Sequence, residues 1–289
     1  MGPGGVVLES TLSFCARRLG VSLALGGVLA MSECAGQWAY QPAERGFGVD
    51  LGGAMRYGPV DGYVQTPNGG APGTTSNKRP TFNELGIDSF ISPEASLDLH
   101  WRAHGLYADG DWVRLDGNST LNSTLTSHGT TFPAGTSVRS RVQLDSYRVG
   151  YEYRLAWTND GGSLLSFSPA AGIDLLNFDY RLHGEGGLAA NRGYFVGSPQ
   201  LGFGAEWLPP GRFSISGGLF SSLPEVSNLF ALSAQVTGGY RLWGQGERGG
   251  RLFLGIGYDW LDYKDNQQVP NHVKADLGPM LLFGLHTRF

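Results

Sequence analysis

The chain has 289 residues, 41% of them hydrophobic, a composition that belongs to a folded protein rather than a disordered one. Its 25 acidic residues against 21 basic ones leave a net charge of −4, a balance that argues against a general nucleic-acid binder. The two cysteines, Cys15 and Cys34, both lie near the N-terminus, so a disulfide-stapled domain and a cysteine-based active or metal site are excluded downstream of them.

At the N-terminus Arg17-Arg18 precede a charge-free stretch, Leu19 to Met31, and small residues follow. That layout predicts a secretory signal peptide, residues 1–36, with cleavage after Gly36 or, as an alternative, after Ala30. The apolar stretch is too short to cross a bilayer as a helix, which takes about 20 residues. No later stretch is long and apolar enough to do so, which excludes a helical membrane protein.

From 46 onward, alternation with a period of two recurs, the signal of half-buried strands. Phe47, Val49, Leu51, Met55 and Tyr57 oppose Asp50 and Arg56. Leu97, Leu99 and Trp101 oppose Asp98, His100, Arg102 and His104. Leu201, Phe203 and Trp207 oppose Gln200, Gly204 and Glu206, while Leu254, Ile256, Tyr258 and Trp260 oppose Arg251 and Asp259. One face is apolar and often ends in Tyr or Trp; the other carries charges of both signs and many of the 46 glycines. A soluble sandwich would turn its apolar face inward, but aromatic girdles at both ends of an apolar band mark a transmembrane barrel. Glycines on the polar face would leave room in a narrow lumen for large arginines opposite. The fold class read from this is all-β, an antiparallel up-and-down transmembrane β-barrel occupying 37–289.

Nine segments alternate clearly: 46–57, 94–107, 138–156, 163–180, 197–207, 212–221, 229–243, 251–263 and 277–289. Single-chain bacterial barrels have even strand numbers. Reading Ala108–Trp112 as a tight turn adds a tenth strand at 112–121; dropping a weak segment gives eight. Within 138–157 the polar parity changes: Arg139, Arg141, Gln143 and Asp145 precede Arg148, Glu152 and Arg154 on the opposite set. A β-bulge near Asp145–Ser146 would keep both sets in the lumen. Short connections fall at 158–162, 208–211 and 244–250, and long ones at 58–92, 117–137, 182–196 and 264–276, the asymmetry of periplasmic turns and extracellular loops.

The last strand, ending Leu281, Phe283, Leu285, Thr287, Phe289, together with the leader and the alternation, resembles outer-membrane β-barrel proteins of Gram-negative bacteria. The resemblance covers most of 46–289 and is one of class. It implies integral outer-membrane localisation, with membrane lipid and lipopolysaccharide as surroundings. It also implies recognition of Phe283, Leu285 and Phe289 by the barrel-assembly machinery.

The residues expected to line the lumen are Asp50, Arg56, Asp98, His100, Arg102, His104, Arg139, Arg141, Asp145, Arg148, Glu152, Arg154, Asp259, His286 and Arg288. In so narrow an interior such charges must pair. The first reading is therefore a structural, surface-exposed barrel with a salt-bridged, largely filled lumen. The alternatives are a narrow, anion-leaning pore and a lipid-modifying enzyme. Deacylases of this class carry His-x-Ser near the C-terminus, and here His272-Val273-Lys274 and His286-Thr287-Arg288 lack the serine. Asp179, His183 and His272 at the extracellular rim are the residues a protease-like reading would use. His100 and His104, separated by roughly 13 Å if one strand carries both, cannot share a metal ion. No catalytic residue, metal, cofactor or nucleic-acid partner is expected.

Overall fold

The computed structural model describes residues 38–40, 46–65, 80–223, 227–245, 247–265 and 271–289. The signal-peptide expectation for 1–36 lies outside them. Ten strands form the barrel: β1 (Phe47–Gln65), β2 (Ser89–Trp101), β3 (His104–Thr120), β4 (Ser137–Tyr153), β5 (Leu164–Gly184), β6 (Ala189–Leu208), β7 (Phe213–Ser222), β8 (Leu229–Arg241), β9 (Gly249–Lys264) and β10 (His272–Arg288). Each pairs antiparallel with the next, and β10 closes the ring on β1 from His272↔Gln65 to Arg288↔Asp50. Beyond Arg154, Leu155–Asn159 continues β4 along β5, and Trp38–Tyr40 pairs with that extension. Among the described residues the only helical element is the 3-10 turn Glu185–Gly187.

The count of ten holds, but the turn that produces it lies elsewhere. Trp101 pairs with His104, and Arg102 turns the chain with φ 55°. Ala108–Trp112 is the middle of β3, where Asp109 faces Ser96 and Asp111 faces Glu94 across the ladder. The predicted 182–196 loop is a tight hairpin between β5 and β6, whose register runs unbroken from Ala189↔His183 to Leu208↔Leu164. The other long connections are also shorter than predicted, because β1 runs to Gln65, β3 to Thr120 and β10 begins at His272. The segment 121–136 folds as its own hairpin of Leu125–Ser127 and Thr130–Phe132.

A single strand explains those extra lengths. In β5 the outward residues Leu165, Phe167, Pro169, Ala171, Ile173 and Leu175 are apolar and partly or fully exposed. The inward ones, Ser166, Ser168, Ala170, Gly172 and Asp174, are small or polar. The phase then continues without a break while the polarity reverses: Asn177, Asp179, Arg181 and His183 point out, and Leu176, Phe178, Tyr180 and Leu182 point in and are buried. The apolar stretch of β5 spans roughly 33 Å along the strand, which at the usual tilt matches an apolar band about 25 Å tall. The barrel therefore rises out of a membrane into water, and its inside and outside exchange character at that level.

This inversion replaces the predicted bulge. β4 pairs β3 from His104↔Tyr153 to Thr120↔Ser137 and β5 from Val138↔Gly184 to Glu152↔Ala170 with no register shift. Arg139, Arg141, Gln143 and Asp145 thus share the outward face with Tyr147, Val149, Tyr151 and Tyr153. A bulge does occur in β10, where the pairing to both neighbours shifts between Leu277 and Leu281. Pro279 has no N–H for the ladder, and Gly278 takes φ 133°, a conformation other residues rarely adopt.

Above the membrane level the interior is an apolar core. Leu115, Val142, Phe178, Tyr180 and Leu182 from the strands meet Phe82, Leu85 and Ile87 from the turn at 80–88 and Phe132 from the hairpin. Each such side chain contributes on the order of 1.5–3 kcal/mol by burial. Lower down, glycines make room for bulk as expected, though for Tyr and His: a Cβ on Gly150 or Gly172 would collide with the Tyr107 hydroxyl, and one on Gly48 with the His100 ring.

Candidate functional site

The short connections at 102–103, 160–163, 209–212 and 242–248 and the end of β10 lie at one end of the barrel, the periplasmic end by the asymmetry of loop lengths. From there the lumen has three levels: a mouth of about 450 Å³, a chamber of about 630 Å³, and a constricted layer with a gap of about 60 Å³ under the apolar core.

The chamber is built around Glu206 of β6, which accepts from Arg154 at 3.2 Å, Arg251 at 2.9 Å and Arg288 at 3.3 Å. Glu247 pairs with Arg154 and Arg288, both at 3.2 Å. The Arg288 Nε donates to Asp50 at 2.6 Å, and His286 and His100 stand 3.9 and 4.0 Å from the same carboxylate. Arg154 reaches the hub because β4 is interrupted at it; its backbone N–H donates to the Ala103 carbonyl at the β2–β3 turn. Asp98 and Glu152 line the chamber without a guanidinium at ion-pair distance among the described residues.

The constricted layer is centred on Arg56, which is 4% exposed. Its guanidinium bonds Asp111 and Asp259, with Glu94 at 3.8 Å, and its Nε donates to the Met280 sulfur. The Ser92 hydroxyl donates to Asp111. Arg148 lies 3.6 Å from Asp109 and stacks on the Phe220 ring, while the Ser146 hydroxyl donates to Asp174 at 2.9 Å. A charge this buried is tolerated only when paired and hydrogen-bonded, and Arg56 is both.

Of the sequence-selected lumen residues, Asp50, Arg56, Asp98, His100, Arg148, Glu152, Arg154, Asp259, His286 and Arg288 lie on the inner wall. Five are corrected. Arg102 is an exposed turn residue over the Trp101 ring. His104 begins β3, and its ring packs on Tyr151 and Tyr153. Arg139 and Arg141 lie outside, Arg141 paired with Asp116 at 2.7 Å. Asp145 is outside too, bonded by Arg114 and Gln143. All three belong to the stretch where outward means water.

Sequence reasoning missed Glu94, Asp109, Asp111, Asp174, Glu206, Glu247 and Arg251 as members of the layers. Glu206 and Arg251 stood in the polar sets that alternation exposes, and Glu94 shares parity with Asp98. Asp109 and Asp111 were hidden by the turn-like Ala108–Trp112. At the rim, His272 Nε2 lies 2.7 Å from Asp262 and Tyr63 touches its ring, whereas Asp179 pairs with Arg181.

Outside, Phe47, Trp101, Phe213 and Tyr240 circle the lower edge of the apolar band, and Tyr57 and Tyr258 stand near its upper edge, all at least 39% exposed. A closed barrel with an exposed apolar exterior and a charged interior is a transmembrane one. The chain is an integral outer-membrane β-barrel. No protein-family model matches it, and no curated protein matches it. Among solved structures it is similar to a FadL homologue from Pseudomonas aeruginosa at 10% identity, over 86% of this chain and 92% of that chain, with a TM-score of 0.26. It is similar to the toluene transporter TodX of P. putida at 8% identity over 86% and 92%, TM-score 0.33. The translocator domain of the autotransporter NalP from Neisseria meningitidis matches at 9% identity over 93% and 95%, TM-score 0.26. Likeness at this level says nothing about the task of the chain.

Proposed function

We propose that this barrel is a sealed, non-enzymatic surface protein that carries its extended strands and loops above the outer membrane and does not conduct. The observation that carries this is the pair of closures stacked in the lumen: the Arg56 layer, and above it the dry core of Leu115, Val142, Tyr180, Phe82 and Phe132, each no more than 0% exposed except Arg56 at 4%. An ion would have to displace both. An anion-leaning pore is disfavoured because carboxyl groups outnumber guanidiniums on the chamber wall, where Asp98 and Glu152 stand beside Asp50, Glu206 and Glu247. The outward Phe283, Leu285 and Phe289, 54%, 41% and 62% exposed, are the surface we expect the assembly machinery and then membrane lipid to meet.

Planar-bilayer recording on the refolded chain from Gln37 onward tests this. The expected result is a silent protein that still shows heat-modifiable gel mobility. Stable unitary steps would overturn it.

A further inference from the structure

We infer that the periplasmic mouth is a binding site for a small organic polyanion, one carrying two or more carboxylate or phosphate groups. The mouth is lined by Arg212, Arg241, Arg248, Arg251 and Arg288, with Glu247 as the carboxylate among its described lining residues. Inward, Arg251 and Arg288 are held in place by Glu206, Glu247 and Asp50. At the rim Arg212 donates to the Tyr240 hydroxyl at 3.4 Å, and one of the contacts of Arg241 is to the Gly211 carbonyl. No hydrogen bond or ion pair restrains the Arg248 side chain among the described residues. Several guanidinium forks around a cavity of about 450 Å³ suit planar, doubly accepting groups such as carboxylate and phosphate, and the size is that of a small-ligand pocket.

The surroundings fix how far such a ligand enters. The mouth continues into the chamber through shared lining residues, His100, Glu247, Arg251 and Arg288. Deeper in, carboxyl groups outnumber guanidiniums on the chamber wall, so an anion stops at the collar. Leu164, Leu208 and Pro210 give the mouth an apolar side, which favours an organic body over a bare ion. The site faces the periplasm, and an anion reaches it whether or not the lumen conducts.

The test is calorimetric titration of citrate and, separately, pyrophosphate into the refolded barrel in a neutral detergent. Saturable binding that weakens with added salt is expected. The Arg212→Gln/Arg248→Gln variant should bind roughly tenfold or more weakly, a loss of about 1.4 kcal/mol or more, because two charge-assisted donors are removed. The outer-wall variant Arg139→Gln/Arg141→Gln should bind like the parent. Heat-modifiable mobility confirms that each variant has folded. Absence of saturation overturns the inference, as does equal weakening in the outer-wall variant. Phosphatidylglycerol in the micelle that fills the collar and resists displacement by citrate would also overturn it, in favour of a lipid headgroup.

Discussion

The lower and upper halves of β5 obey the same geometry and opposite chemistry. From Leu165 to Leu175 the outward side chains meet lipid and the inward ones are small or polar; from Leu176 to His183 the inward ones are buried hydrocarbon and the outward ones are charged or amide. The backbone does nothing special at the boundary, since the ladder to β6 keeps one register throughout. What changes is the solvent outside. A transmembrane strand buries apolar groups by pointing them out, and a strand in water does so by pointing them in. The lower half must satisfy charges inside a narrow tube, while the upper half has an ordinary dry core and can place charges anywhere on its wall.

The sharpest way to break that contrast is to remove a charge from each half. Arg56 serves Asp111, Asp259 and Glu94 at once. Arg56→Ala leaves those carboxylates buried without their cation, an expected loss of about 3–5 kcal/mol. Urea unfolding in lipid vesicles, followed by gel mobility, reads it. A loss below about 1 kcal/mol, the range of an exposed pair, would mean that water already reaches this layer and that the lumen is wider than the structure has it.

The boundary itself can be mapped with a walking arginine. Leu201 is 54% exposed on the outer face of β6, opposite Ala171 within the apolar band, and Leu201→Arg should cost about 2–4 kcal/mol. Asn177→Arg, also outward but above the polarity switch, should fall within about 0.5 kcal/mol of the parent. Equal costs at the two positions would place the membrane edge higher than the inversion in β5 does.

Much of the lower half was legible in the sequence, because there the apolar set and the outward set coincide. Leu97, Leu99 and Trp101, or Leu254, Ile256 and Tyr258, give the wall directly, and Asp98 and Asp259 fall inside by parity. The upper half was not legible by the same rule. Applied to Arg139, Arg141 and Asp145, the equation of polar with lumen demanded a bulge that does not exist, because period-two alternation reports which residues share a face and not which solvent that face meets. The same blindness shortened the predicted strands at 58 and 276. Ala108–Trp112 failed for another reason: its Gly and two Asp residues imitate a turn, while in the barrel Asp109 pairs with Arg148 directly across the ladder to β4 and Asp111 pairs with Arg56 of β1. Those pairings are visible only once β4 is laid in register beside β3 and β1 is brought within reach of it.

The smallest effect is expected at the charge pair the upper half carries on its outer wall. Arg141 and Asp116 form a 2.7 Å ion pair with side chains 46% and 49% exposed. Arg181 lies directly across the ladder from Arg141, so part of the attraction is offset by a like-charged neighbour. A double-mutant cycle of Arg141→Ala and Asp116→Ala should give a coupling of roughly 0.2–1 kcal/mol, shrinking as salt is added. A coupling of several kcal/mol that ignores salt would show that this face is shielded from water, and the level at which the wall turns from lipid to solvent would then have to move above Arg141.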